Sequence, residues 1–171
     1  MIGNFEQCLA LLLKHEGGFT NNPKDPGGAT NLGVTLNTWT RWKGTPQTVD
    51  DVKALTVDDV SDLYRQWYWG KTRCDELPAG VDYCVFDCAV NSGPSQGVKF
   101  IQIALDIRAD GVIGPQTIAA SHQRDAQELV EQFCEERLHF LQSLNTWDTF
   151  GKGWQRRVEE VKQMALRMAS Q

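Results

Sequence analysis

Helical periodicity runs through most of this chain, and one turn-rich segment near the N-terminus interrupts it. Apolar residues recur at helical spacing between Phe5 and Leu12, and continuing the series by one turn reaches Glu16. Gly17 and Gly18 then end the helix, because glycine readily takes the backbone angles found at a helix C-terminus. The pattern predicts a first helix whose buried stripe includes Glu16 at its last turn.

The next segment, Phe19–Thr35, contains the sequence TNNPKDPGGATNLGVT, which is dense in residues that favour turns. Only NLGVT has the character of a short strand, so we expect a structured loop or a small hairpin. Helical patterns then resume, and T-x-x-D signals mark helix starts at Thr48 and Thr56. Further helices are predicted at about 36–42, 81–90, 95–105, 115–122, 125–144 and 152–169. The fold class is therefore mainly α.

Length and charge exclude several classes of protein. The 171 residues suit a single domain, and no stretch approaches the roughly 20 apolar residues of a membrane span. The net charge of −5 argues against binding of nucleic acid, which needs a basic surface. The N-terminal sequence lacks the basic region and the cleavage site of a secretory signal. We therefore expect a protein made in the cytoplasm without a cleavable signal peptide and without stable membrane insertion.

Five cysteines, an odd number, are scattered through predicted helices. A chain of this length does not need disulfides for its stability, so we expect reduced thiols. Cys84 and Cys88 stand at i and i+4, as two metal ligands on one helix face would, but no second Cys or His pair has the spacing of a zinc finger. We expect neither a bound metal nor another cofactor.

Glu16 is the candidate for acid catalysis. Cleavage of a glycosidic bond needs a carboxylic acid that is still protonated near neutral pH, and burial in apolar surroundings favours that state. Glu16 stands on an apolar stripe, beside glycines that allow close approach of a substrate and at the start of a polar loop. The alternative is a surface glutamate at a helix end, which is a common arrangement.

A second group is needed, either as nucleophile or to hold and activate a water molecule. Asp25, in KDPGG, is the local candidate, and the alternative is an Asx-turn that only shapes the loop. Thr30 follows five residues later, and its hydroxyl could help to hold the water. The alternative for Thr30 is a purely structural role in a turn.

The segment around Glu16 also resembles a known family. HEGGFTNNPKDPGGATNLGVT is similar to the signature of glycoside hydrolase family 108, which usually reads E-G-G-Y and then D-P-G-G-x-T-x-x-G-I. The resemblance implies a lysozyme-like N-acetylmuramidase with Glu16 as its acid. The spacing E-x8-D-x4-T also resembles the E-x8-D-x5-T of phage-type lysozymes, which implies that Asp25 and Thr30 position water. The spacing differs by one residue, and Phe19 and Val34 stand where Tyr and Ile are commoner.

The resemblance extends into the second half of the chain. VDYCVFDCAVNSGPSQGVKFIQIALDIRADGVIGPQTIAA looks like the small peptidoglycan-binding-type region that accompanies this family. Since no long linker divides the chain, we expect one domain with two lobes, a catalytic lobe at 1–77 and a helical lobe at 78–171 that resembles this region. Asp87 and Asn91 are candidate substrate contacts in this region. Because Asp87 stands in the apolar run VFDCAV, we expect its carboxylate to be paired or hydrogen-bonded.

Tyr68 and Trp69 are the aromatic candidates for substrate contact. Aromatic side chains offer large faces to sugar rings, and the polar atom of Tyr or Trp can hydrogen-bond. The alternative for both residues is a place in the hydrophobic core.

The resemblance implies a lysozyme-type muramidase that hydrolyses the β-1,4 bond between N-acetylmuramic acid and N-acetylglucosamine in peptidoglycan glycan strands. We expect an endolysin-like enzyme of a phage or prophage, monomeric, and released to the cell wall by a holin. Inversion of the anomeric centre is predicted, with retention left open. The alternatives are a non-catalytic wall-binding or secretion-associated protein that keeps the fold, and a lytic transglycosylase or chitinase-like enzyme.

Overall fold

The computed structural model describes residues 4–22 and 28–171, and within these ranges it contains nine α-helices and one two-stranded antiparallel hairpin. The helices are α1 (Asn4–Glu16), α2 (Leu36–Lys43), α3 (Val49–Lys53), α4 (Val57–Tyr64), α5 (Val81–Ser92), α6 (Pro94–Ala104), α7 (Pro115–Gln123), α8 (Ala126–Gln142) and α9 (Trp147–Ala169). The strands are β1 (Thr30–Asn31) and β2 (Val34–Thr35). A π-helical turn (Arg65–Trp69) continues α4, and a 3-10 helix spans Cys74–Glu76. The predicted mainly α fold with a small hairpin after the first helix is confirmed.

The start of α9 is the largest departure from the predicted helix bounds. This helix begins at Trp147, whereas the sequence pattern predicted a start near residue 152. Gly151 and Gly153 disfavour a helix by their intrinsic propensity. In the structure Trp147 packs flat against Gly151, where an added Cβ would lie 2.6 Å from the indole ring. The helix therefore continues through residues that disfavour it, and the indole of Trp147 packs over Gly151 one turn later, where a larger residue would collide with it.

The chain divides into two compact units, Glu6–Trp67 and Tyr68–Gln171, the second of which also includes Phe5. The lobes predicted from the sequence, 1–77 and 78–171, stay a prediction. None of the helices in the described ranges is long and apolar enough to cross a membrane.

The hairpin is the central feature of the unit Glu6–Trp67. Asn31 pairs with Val34, and the two residues between them, Leu32 and Gly33, have φ angles of 51° and 75°. Positive φ at both central residues is characteristic of a type I′ turn, whose twist matches that of the two strands. On the other side of β1, Thr30 exchanges two backbone hydrogen bonds with Thr20, at 2.8 and 2.9 Å. The hairpin is thereby joined to the chain that leaves α1.

Two short helices of the same unit begin with capping boxes, as the T-x-x-D signals predicted. The hydroxyl of Thr48 accepts from the backbone of Asp51, whose carboxylate accepts from the backbone of Thr48. Thr56 and Asp59 repeat the arrangement at the start of α4. Each box satisfies backbone donors that a helix N-terminus leaves without partners.

In the unit Tyr68–Gln171, α5 is the most deeply buried helix. Every residue from Val81 to Ala89 is buried, including two aspartates. The helix α6 approaches α5 closely at Gly97, where an added Cβ would lie 3.0 Å from the carbonyl oxygen of Val85. The helices α8 and α9 also pack against α5. A carboxylate on α5 is thus surrounded by helices rather than by water.

Candidate active site

Glu16 is the last residue of α1, and its side chain is half-buried. Gly17 follows with a φ of 70°, in the left-handed region that commonly ends a helix. A Cβ added to Gly17 or Gly18 would meet no atom within 4 Å. Glu16 is therefore less buried than the helical pattern predicted, because two residues without side chains follow it. Within the described residues, the chain just after Glu16 therefore has free space beside it.

The Glu16 carboxylate lies against the turn of the hairpin. A Cβ built on Gly33 would stand 3.0 Å from Oε2 of Glu16 and 3.1 Å from its Cγ. The same Cβ would stand 2.5 Å from the hydroxyl oxygen of Tyr64, the last residue of α4. Gly33 is therefore the point at which α1, the hairpin and α4 meet.

Tyr64 holds the hairpin turn in place. Its hydroxyl donates to the carbonyl oxygen of Leu32 at 2.8 Å, and the residue is 1% exposed. A positive φ is unusual for a branched residue such as Leu32, because its Cβ crowds the backbone. The hydrogen bond from Tyr64 thus stabilises a turn that brings Gly33 against Glu16.

Asn31 anchors the hairpin from within β1. Its side chain is buried, and its amide nitrogen lies within hydrogen-bonding distance of three backbone carbonyls at the end of α3, those of Val52, Lys53 and Leu55 (3.1 to 3.4 Å). Carbonyls at a helix C-terminus have no partner within the helix. One side chain therefore supplies donors to α3 and fixes the strand next to Glu16.

Thr30 is the second predicted catalytic residue that lies within the described ranges. Thr30 lies in β1, half-buried, and its hydroxyl is 3.3 Å from the carbonyl oxygen of Gly28. Its backbone groups are engaged with Thr20, so the position of the residue is well fixed. Asp25 lies outside the described residues.

Sequence reasoning missed three residues of this site: Asn31, Gly33 and Tyr64. The sequence contained a signal for Gly33, since a type I′ turn favours Gly at a central position and this glycine is also part of the quoted signature, whereas Asn31 stands in a strand and had no local signal. Tyr64 is 32 residues from Leu32, its hydrogen-bond partner. No local pattern could have paired them.

Asp87 is fully buried and paired, as its place in an apolar run predicted. Arg137 donates to Oδ2 at 2.7 Å, and Arg157 donates to Oδ1 at 2.9 Å. Burial by itself would raise the pKa of Asp87, but the charges of the two arginines and their hydrogen bonds outweigh it and lower the pKa. With 0% exposure, Asp87 has no surface for a ligand. Its role in this unit is to neutralise two arginines, and a substrate contact is not supported.

Of the remaining predicted contacts, Trp69 is a core residue. It is 1% exposed, and its ring packs against Phe5 and Phe86 at centroid distances of 5.4 and 5.3 Å. Its indole nitrogen donates to a carboxylate oxygen of Asp75 at 2.9 Å. The expectation that Trp69 offers a face to sugar is therefore not supported, because both faces are covered by protein. Tyr68 is half-buried and Asn91 is exposed, so both have surface available.

All five cysteines are buried thiols, and no disulfide joins them. Cys84 and Cys134 approach each other within 3.9 Å in the core. Burial raises the pKa of Cys88 to about 11, and the contact with the Cys134 thiol, together with burial, raises the pKa of Cys84. These thiols stay protonated at neutral pH and are poor nucleophiles.

Comparison with known proteins identifies the family. The profile of glycosyl hydrolase 108 matches residues 9–93, and a profile described as a predicted peptidoglycan domain matches residues 96–159. The chain is 42% identical to SagA of Brucella abortus, whose solved structure superposes with a TM-score of 0.89 over 100% of this chain and 98% of that chain. No curated protein matches the chain. The predicted lysozyme-like fold class is confirmed by this likeness, and the chain belongs to the glycosyl hydrolase 108 family, with a peptidoglycan domain in its second half.

Proposed function

We propose that this protein is an N-acetylmuramidase that hydrolyses the β-1,4 bond between N-acetylmuramic acid and N-acetylglucosamine, with Glu16 as general acid. The observation that carries the proposal is the position of the Glu16 carboxyl, half-buried at the end of α1, followed by two glycines and backed by the hairpin turn. A general acid must be open to the leaving-group oxygen on one side and held by protein on the other. The family match supports glycoside hydrolysis, and the peptidoglycan domain supports the substrate.

Asp25 and Thr30 are proposed to hold the attacking water. Thr30 has a fixed backbone in β1, which suits a residue that must hold a water molecule in one place. Tyr68 and Asn91 are proposed as substrate contacts, since each has exposed surface. No cofactor takes part in this scheme, because the acid and the water-holding groups suffice for hydrolysis.

The proposal includes how the enzyme reaches its substrate. We propose synthesis in the cytoplasm, release to the cell wall through a holin, and action as a monomer on glycan strands. An endolysin-like role in a phage or prophage is consistent with that route.

Mass spectrometry of fragments from purified peptidoglycan tests the reaction. Reducing N-acetylmuramic ends are expected. Anhydro-muramic ends would show a lytic transglycosylase instead, fragments with N-acetylglucosamine at the reducing end would place the cleavage at the other bond, and the absence of fragments would show a binding protein.

The variant Glu16→Gln tests the acid, with Glu6→Gln as matched control on the same helix. The amide keeps the shape of Glu16 but cannot deliver a proton, so the rate is expected to fall by roughly 100- to 10,000-fold. Glu6 is exposed and pairs with Arg65 at 2.9 Å, and its replacement is expected to leave the rate unchanged. A Glu16→Gln variant that cleared peptidoglycan within a few-fold of the wild-type rate would show that Glu16 is not the acid.

A further inference from the structure

We propose that Gly33 and Tyr64 form a seat that positions the Glu16 carboxyl for catalysis. The proposal rests on the proposed function of Glu16. Both residues act through Glu16 and are positioning residues, and nothing in the family match assigns them a role.

The distances show why residue 33 must lack a side chain. A Cβ at Gly33 would lie 2.5 Å from the Tyr64 hydroxyl oxygen and 3.0 Å from Oε2 of Glu16. Both distances are shorter than van der Waals contact, since carbon and other heavy atoms pack at about 3.5 to 4.0 Å. Any side chain at position 33 must therefore displace Tyr64, Glu16 or the turn itself.

Glu16 is the group that would move. Tyr64 is 1% exposed, and its hydroxyl is held by the Leu32 carbonyl oxygen at 2.8 Å. The turn is anchored through the amide of Asn31. Glu16 is half-buried at a helix end, and its side chain has more rotatable bonds than that of Tyr64. The carboxyl group therefore gives way first, and a displacement of about 1 Å at a reacting group can cost roughly 100-fold in rate.

The Tyr64 hydroxyl is the second part of the seat. The hydroxyl donates its proton to the carbonyl oxygen of Leu32 and so fixes the position of the turn that lies against the Glu16 carboxyl. Without the hydroxyl, the positive-φ Leu32 loses a stabilising bond. Tyr64→Phe keeps the ring in the core and removes the hydroxyl that makes this bond.

Gly33→Ala is the decisive variant, and Gly44→Ala is its matched control. Gly44 ends α2 with a φ of 70°, close to the 75° of Gly33, but a Cβ there would meet no atom within 4 Å. Both variants carry the strain of a side chain in the left-handed region, and only Gly33→Ala collides with Glu16. On a soluble peptidoglycan oligomer, kcat is expected to fall about 10- to 100-fold for Gly33→Ala with KM nearly unchanged, and less than about twofold for Gly44→Ala.

Tyr64→Phe gives a second test that does not depend on the folding of Gly33→Ala. Its kcat is expected to fall about 10-fold, with KM unchanged, whereas Tyr83→Phe, at another buried tyrosine, is expected to match the wild type. The double variant Gly33→Ala, Tyr64→Phe should lose less than the product of the two single losses, because removal of the hydroxyl opens the space that the new methyl group fills.

The outcomes separate this proposal from the assignment of Glu16. If Glu16→Gln is inactive while Gly33→Ala matches Gly44→Ala and Tyr64→Phe matches Tyr83→Phe, the seat is refuted and the catalytic role of Glu16 stands. A loss confined to KM would also refute it, since a positioning residue acts on the chemical step. If Glu16→Gln is active, the proposed function and the seat fail together.

Discussion

Asp87→Asn removes one negative charge from a site that holds two arginines. Asp87 is 0% exposed and Arg137 is 1% exposed, whereas 14% of the Arg157 side chain is accessible. Asparagine has almost the same shape and retains one acceptor oxygen. The substitution thus leaves the packing intact and removes the negative charge that Arg137 and Arg157 share.

The expected loss follows from this burial. Removal of one partner from a buried ion pair typically costs 3 to 5 kcal/mol, because the remaining charge stays in a medium of low dielectric constant. We therefore expect Asp87→Asn to lower the free energy of unfolding by about 3 to 5 kcal/mol. For a domain of this size each kcal/mol corresponds to about 2 to 4 °C, so the melting temperature should fall by about 6 to 20 °C. The exposed pair of Arg73 and Glu76 provides a control, because Glu76→Gln is expected to leave the melting temperature nearly unchanged.

The effect should also depend on pH with a definite sign. The folded-state pKa of Asp87 lies below its ordinary value of 3.8. A carboxylate with a lowered pKa contributes its full stability above the unfolded-state value and loses it as the pH falls through the folded-state value. The difference between wild type and Asp87→Asn is therefore expected to be constant at neutral pH and to shrink below about pH 4.

Urea denaturation at pH 7 and at several lower values measures both effects. The triple variant Asp87→Leu, Arg137→Met, Arg157→Met removes every charge, and we expect it to recover most of the stability that Asp87→Asn loses. An Asp87→Asn protein within about 1 kcal/mol of the wild type at pH 7 would refute the reasoning that this carboxylate neutralises both arginines.

Two further predictions concern the unit that contains Glu16. Asn31→Ala is expected to lower the free energy of unfolding by about 1 to 3 kcal/mol, since carbonyls at the end of α3 lose a buried donor; the exposed Gln47→Ala serves as control, and equal denaturation midpoints would contradict the anchoring role. An inverting mechanism uses two carboxyl groups about 6.5 to 9.5 Å apart, and we expect the first anomer released from a soluble oligomer to be inverted. Release of the retained anomer, or a glycosyl adduct trapped on Asp25, would show a covalent mechanism instead.

The features that the sequence predicted well are those determined by neighbouring residues. Thr48 and Thr56 begin helices because a hydroxyl and a carboxylate three residues apart can satisfy the same helix terminus. The end of α1 at Glu16 was predicted from the two glycines that follow. In these cases the interacting groups lie within about one turn of helix, so the spacing in the sequence directly predicts the contact in the structure.

The features that could not be predicted depend on partners far away in the chain. Asp87 was expected to be paired, but its partners Arg137 and Arg157 stand 50 and 70 residues later. Trp69 was considered a sugar-binding aromatic because composition does not reveal which aromatic rings are enclosed. Packing between helices that are distant in the chain determines the partners of Asp87 and the burial of Trp69. The local patterns of a single sequence do not predict such packing.

The hairpin turn shows how a local irregularity can be connected to function. Three residues other than glycine have positive φ in the described part of the chain, Leu32, Arg73 and Asp106, so backbone strain by itself does not mark a site. Leu32 differs from the other two because a buried hydroxyl from α4 holds its carbonyl group, and because its neighbour Gly33 touches the carboxylate of Glu16. A strained turn persists only where the surrounding structure compensates for its cost. Here the compensating contacts are those between Asn31 and the end of α3 and between Tyr64 of α4 and Leu32. The turn that they stabilise lies against Glu16, the glutamate of the family signature.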